Sequence, residues 1–275
     1  MKKAASKAFV GIVLAVLAIV TLLPVIWVLI SSLKTRKEMM TLPWGLPEVF
    51  QWENYTKAWE KADFQILMKN SICITAVSLV FMILLSSMVA FAITRYHVRA
   101  RKLVLMYMLV GQTISTGMIT FPIVILLRKL GLDEGLAGLI LTYIAGGLPF
   151  AVFVMQGFFA GIPYELYEAA EMDGATELDL YRKVAIPLAK PSLATVLLYQ
   201  FMWVWNEFIL AFTVISKKEN RTIIVGLYSV VNGNLQTDYV TAFAGAVIVC
   251  VPIVLIYLIF QKYLIEGLVA GAVKG

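Results

Sequence analysis

The chain alternates between long apolar runs and short polar stretches. Six runs reach the roughly 20 residues that a helix needs to cross a bilayer core, at about 9–31, 70–93, 103–127, 136–159, 193–215 and 241–262. Six crossings put both termini on one side. The polar breaks differ in kind. The stretch from Lys34 to Lys69, with TLPWGLPEVFQWENYTKAW at 41–59, has the Pro, Trp and Tyr of an irregular interfacial segment with room for one short helix, a plausible landing surface. The break at 160–192 is charged and periodic.

Residues 160–192 hold six acidic and three basic residues, and every acidic one precedes Arg182. Pro163 can open a helix, and Glu165, Glu168 and Glu171 follow at a spacing of three, which places their carboxylates along one stripe. Gly174 can end that helix because it takes positive φ without a Cβ penalty. Thr176 with Asp179 three residues on is capping-box-like, and Leu178, Tyr181, Val184 and Ala185 form an apolar face up to Pro187. The pattern predicts a bent helical pair. Helices this short are marginal alone, so the pair must rest on something. Interfacial helices favour cations on their polar face and the first helix has none, so a basic partner protein suits it better than a lipid surface.

Composition agrees with the spans. The 275 residues are 61% hydrophobic and 15% charged, with a mean hydropathy of +0.86, which predicts an all-α polytopic membrane protein forming one domain over 1–275. The formal charge of +6 comes without a dense basic stripe interleaved with aromatics, which argues against nucleic acid and fits anchoring to the lipid bilayer. Lys2, Lys3 and Lys7, and the cluster RYHVRARK at 95–102, place the N-terminus in the cytoplasm. The sums are close, 12 Lys and Arg inside against 11 outside; density near the helix ends decides. The apolar run from Phe9 to Ile30 behind MKKAASK exceeds a signal-peptide core, which predicts an uncleaved first span.

Candidate chemistry is sparse. Cys73 and Cys250 fall in different spans and read as packing residues, neither a disulfide nor a metal site. A single histidine, His97, leaves no His-based hydrolase or zinc site, and no Gly-Lys dipeptide exists to form a P-loop. No catalytic residue and no metal ligand is assigned. Glu207 is the clearest ionisable residue within a span. At about 100° per residue, Gln200, Trp203, Asn206 and Glu207 share one third of the fifth helix. That sector either lines a translocation path or holds helices together by hydrogen bonds. Gln112, Thr113, Thr116 and Thr120, with Ser78, Ser86 and Ser87, are weaker candidates. Pro122, Pro149 and Pro252, with Gly146 and Gly147, allow bends or close helix approach.

Glu168, Ala169, Ala170, Gly174 and the run Val184 to Pro187 stand at the spacing of the EAA motif: EAA, three residues, Gly, nine residues, then apolar-x-apolar-Pro. The chain thereby resembles the membrane-spanning permease subunits of bacterial ABC importers. DGA at 173–175, PFAVFVMQGFF at 149–159, AFAITRY at 90–96, WNEFILA at 205–211 and the terminal GLVAGAVKG look like the carbohydrate-uptake, maltose-permease G-like branch. Ile186 departs mildly from the usual Leu. The resemblance implies six spans with a cytoplasmic coupling loop at 160–192 and a cytoplasmic tail at 263–275. It also implies a second homologous permease, two ABC ATPase subunits that hold ATP and Mg, and an extracytoplasmic sugar-binding protein. The coupling residues it implies are Glu168, Ala169, Ala170, Asp173, Gly174, Ile186 and Pro187, and the ATPase-interface tail is Gly267, Gly271, Lys274 and Gly275. The chain itself would bind no cofactor and would not be an enzyme. A permease for another solute, such as a polyamine or phosphate, or an ion-coupled secondary transporter using Glu207, are the alternatives.

Overall fold

The computed structural model describes residues 2–61, 63–96, 101–232 and 238–272. Among them the regular structure is helical: α1 (Lys2–Ser32), α2 (Arg36–Thr41), α3 (Glu53–Lys61), α4 (Phe64–Arg95), α5 (Arg101–Thr113), α6 (Thr116–Lys129), α7 (Leu136–Phe159) and α8 (Tyr164–Met172) come first. After α8 come α9 (Glu177–Leu188) and α10 (Lys190–Asn206), then α11 (Ile209–Val214), α12 (Ile223–Asn232) and α13 (Tyr239–Ala272).

Four segments are single helices long and apolar enough to cross a bilayer: Phe9–Ser32, Phe64–Arg95, Leu136–Phe159 and Tyr239–Tyr263. The other two predicted spans are not single helices. The run at 103–127 is broken between α5 and α6 with a bend of 100°. The break falls in TIST at 113–116, a series of β-branched and hydroxyl residues with weak helix preference, and Ser115 is extended at φ −64°, ψ 134°. The run at 193–215 is split at Glu207, which is extended at φ −68°, ψ 127°. Hydropathy counts apolar side chains and is blind to such turns of the main chain.

The chain divides into two compact units, Met1–Gln65 with Gly226–Val251, and Ile66–Val225 with Pro252–Gly275. In the first unit the segment after α1 is more ordered than its composition predicts, with two short helices rather than one. Thr35 and Glu38 close a capping box around the start of α2, and Glu38 also accepts from the Glu48 amide at 2.9 Å. Those donors, the Thr35 amide foremost, hold its carboxyl below the ordinary range. The Lys34 side chain is fully buried and donates to the carbonyls of Leu42 at 3.0 Å and Pro43 at 2.8 Å. Asn54 donates to the Ser32 and Lys34 carbonyls, both at 2.9 Å, and Trp27 packs edge-on against Phe243.

The second unit has two apolar cores. One gathers Ile74, Met82, Leu139, Tyr143, Val204 and Leu210. The other gathers Phe91, Val152, Met155, Phe159, Tyr167, Leu180 and Val196, so it joins the membrane helices to the charged helical pair. A Cβ on Gly147 would lie 2.5 Å from Met82 Sδ and 3.0 Å from Gln200 Oε1, so glycine there permits the close approach of α7 to its neighbours.

Candidate functional site

The charged segment folds as the predicted bent pair. Pro163 precedes α8, and Gly174 follows Asp173 with φ +81°, the left-handed conformation that releases the chain from the helix. Thr176 and Asp179 form a capping box. Lys183, at 2.7 Å from Asp179, and then the Thr176 donors hold the Asp179 carboxyl well below the usual carboxylate range. The second helix does not stop at Pro187. It widens into a π-helical stretch over Leu180–Ala185, continues to Leu188, and bends by 73° into α10. The bend falls at Ala189, between Pro187 and Pro191, where Pro191 has no amide to donate back along the helix.

The predicted residues separate by exposure. Glu165, Glu168, Ala169 and Asp173 are exposed, Ala170 and Ile186 are half-buried, and Pro187 is exposed. Leu166, Met172 and Leu178 add exposed apolar surface around the carboxylates. Glu171 differs from its neighbours on the acidic stripe, because Arg95 at the end of α4 is ion-paired to it. The pair therefore rests first on its own chain: Tyr167, Leu180 and Ala185 are buried in the second core. Burial raises the Tyr167 hydroxyl above its usual range, against a smaller opposing effect of Arg95. Arg95 was legible only as part of a topogenic basic cluster. Gly267 and Gly271 lie on the backbone of α13, while Lys274, Gly275 and His97 lie outside the described residues.

A cavity of about 850 Å³ lies within the second unit, lined among others by Gln112, Thr116, Tyr143, Tyr199, Gln200, Trp203 and Glu207. Asn206 is not among its lining residues; its amide donates to the Met202 carbonyl at 2.8 Å along its own helix. Gln200 is buried and donates to the Gly147 carbonyl at 2.8 Å. Trp203 meets Tyr143 edge-on with centroids 5.7 Å apart, and Phe150 stacks on Tyr199 at 4.1 Å. Glu207 does not continue the helical face that the sequence implied. Its carboxylate accepts from the amides of Leu210 at 2.8 Å and Ala211 at 3.0 Å, capping α11, and from the Tyr143 hydroxyl at 2.7 Å. A buried hydroxyl and two helix-start amides thus satisfy the acid at the break.

The family profile described as "Binding-protein-dependent transport system inner membrane component" matches residues 82–269, spanning the charged pair and the cavity. The chain belongs to this family. It is therefore a multi-pass inner membrane component, one of the ABC-transporter permease subunits, which lack an ATPase site of their own. The trehalose transport system permease protein SugB of Mycobacterium tuberculosis is 34% identical, over 92% of this chain and 93% of that one. The diacetylchitobiose uptake system permease protein NgcG of Streptomyces coelicolor is 31% identical, over 94% of this chain and 85% of that one. In fold the permease is similar to a chain of a bacterial ABC transporter involved in the import of the acidic polysaccharide alginate. That match has a TM-score of 0.81 and 24% identity and covers 96% of this chain and 98% of the other.

Proposed function

We propose that this permease subunit imports a sugar or oligosaccharide delivered by an extracytoplasmic binding protein, by alternating access driven from outside the chain. It would pair with a second homologous permease to enclose the pathway, and two ABC ATPase subunits would hold the ATP and Mg. Both termini would be cytoplasmic, as the basic residues at 2–7 and 95–102 support, and the whole chain would act as one permease domain with six crossings. The cargo class is supported by the relatives named for trehalose and diacetylchitobiose transport. The coupling role of the 160–192 segment is supported above all by the exposed face of α8, where Glu168 and Ala169 stand beside Leu166 and Met172. Glu168 would pair with a basic residue of the ATPase cleft, Ala169 and Ala170 would permit close approach, and Asp173 and Gly174 would set the bend. Ile186 and Pro187 would carry it toward α10, and the tail with Gly267, Gly271, Lys274 and Gly275 would reach the ATPase interface. Closure of the ATPases would move the pair as a lever and shift the helices as rigid bodies.

Gln200, Trp203 and Glu207 line the cavity and are the residues of this chain best placed to meet cargo; Asn206 is the weakest of the four. Proteoliposomes holding the complete complex test the reading: trehalose or diacetylchitobiose uptake should require internal ATP and the binding protein. Uptake by this chain alone on an ion gradient would replace the reading with secondary transport.

A further inference from the structure

The charged pair is fastened to α4 by three side chains one helical turn apart. Ser87, Phe91 and Arg95 stand at spacings of four, a single stripe about 12 Å long at 1.5 Å per residue. At the first level the Ser87 hydroxyl shares a 2.7 Å hydrogen bond with the Tyr181 hydroxyl of α9. At the second, the Phe91 ring contacts Tyr167 of α8 at 6.2 Å, Tyr181 of α9 at 5.4 Å and Phe159 of α7 at 6.2 Å. At the third, Arg95 pairs with Glu171 of α8 and lies 3.9 Å from Glu177 of α9. Its guanidinium also sits over the rings of Tyr164 and Tyr167, 5.1 and 5.5 Å from their centroids.

One cation therefore spans the Gly174 turn and holds both arms of the pair. Its side chain is 9% exposed while those of Glu171 and Glu177 are 39% and 51% exposed, so the cation is enclosed between the pair and α4 and its partner carboxylates keep one side in solvent. A planar guanidinium can lie against aromatic faces while its forked N–H groups reach carboxylates in its plane, a geometry an ammonium does not reproduce. Without it, the stripe would hold the pair only through the Phe91 ring contacts and the Ser87–Tyr181 hydrogen bond, and no charged contact would span the Gly174 turn from α4.

We infer that Arg95 is a positioning residue for transport, the splint that makes the 164–188 pair a rigid extension of α4. Force applied to the exposed face of α8 then reaches α4 directly, besides passing through the covalent links to α7 and α10. The second part of this inference rests on the coupling role proposed above.

Two measurements separate the parts. Hydrogen exchange of the full chain in nanodiscs needs no partner. Arg95→Ala should speed exchange of the 164–180 amides at least tenfold while α7 and α10 stay protected, and Arg95→Lys should fall between Ala and wild type. Unchanged exchange at 164–180 overturns the splint, as does equal loosening of α7 and α10. The complete complex in proteoliposomes, with trehalose as probe, supplies the second readout. Arg95→Ala should keep its ATPase subunits but lower sugar delivered per ATP at least fivefold, with partial rescue by Arg95→Lys. An unchanged ratio alongside loosened helices overturns transmission through α4. Failure of wild type itself to retain any ATPase would sink the coupling reading instead, and the exchange result would still decide the splint.

Discussion

Removing the Glu207 carboxylate should expose how the apolar run at 193–215 is held at its break. Glu207→Ala deletes three accepted hydrogen bonds, two from the start of α11 and one from Tyr143. Loss of a cap costs roughly 0.5–2 kcal/mol, and an orphaned buried hydroxyl costs roughly 1–3 kcal/mol. Tyr143 is only 1% exposed, so its hydroxyl has little access to replacement water. Interhelical hydrogen bonds in bilayers average about 0.6 kcal/mol and reach about 1.7; a charged acceptor and a buried donor place this one near the upper end. The total for Glu207→Ala is then about 2–4 kcal/mol. Tyr143→Phe alone should cost about 1.5 kcal/mol, near the same upper end. In the Glu207→Ala background the same change should cost nothing or stabilise, because it removes the orphan. Reversible unfolding of the four proteins in mixed micelles by increasing SDS gives the cycle. Additivity within about 0.3 kcal/mol, the scatter of independent sites, would refute the direct bond between Tyr143 and Glu207.

Three further outcomes follow from the charged pair. Glu168→Lys, at an exposed position, should leave the chain's own stability within about 0.5 kcal/mol yet reduce recovery of ATPase subunits with the complex; undiminished recovery and uptake would remove Glu168 from the contact. Gly174→Ala should cost about 1–2 kcal/mol for its φ of +81° alone, since nothing lies within 4 Å of the added Cβ; thermal unfolding of the purified chain reads it, and a neutral result would deny the left-handed turn. Asp179 has a folded pKa below its ordinary value, so its stabilising effect is complete at neutral pH and fades only as acid carries the solution below about 4. Anisotropy of a fluorophore on Leu178→Cys, in a Cys73→Ser/Cys250→Ser background, should fall over that acidic range, and Asp179→Asn should flatten the response.

The elements most legible from sequence were those fixed by local rules. Pro163, Gly174 and the Thr176–Asp179 box mark their own boundaries because each satisfies or removes a nearby backbone group. The single-helix spans are equally local, since about 20 apolar residues suffice. The breaks at Ile114–Ser115 and Glu207–Phe208 escaped because long apolar stretches flank them on both sides, and the few hydroxyl, amide and acidic residues between leave each run apolar enough to read as one span. Long-range partners escaped for another reason. Tyr143 meets Glu207 across 64 positions and Arg95 meets Glu171 across 76, and no periodicity connects residues so far apart. The spacing of Ser87, Phe91 and Arg95 was available as a stripe, but a basic residue ending a span reads first as a topology signal. Glu207 shows the same limit: its helix-face position was inferred from a continuous helix, whereas its carboxylate satisfies the first amides of the new helix, α11, that begins beyond the break.

The most direct test of the coupling account places a photo-crosslinking amino acid at Met172, which is 88% exposed at the end of α8, and at Trp44, which is 75% exposed in the segment after α1. In cells expressing the complete transporter, the Met172 probe should capture an ABC ATPase subunit and the Trp44 probe should not. Capture of the ATPase from Trp44, or its absence from Met172 in a complex that still imports sugar, would contradict the account.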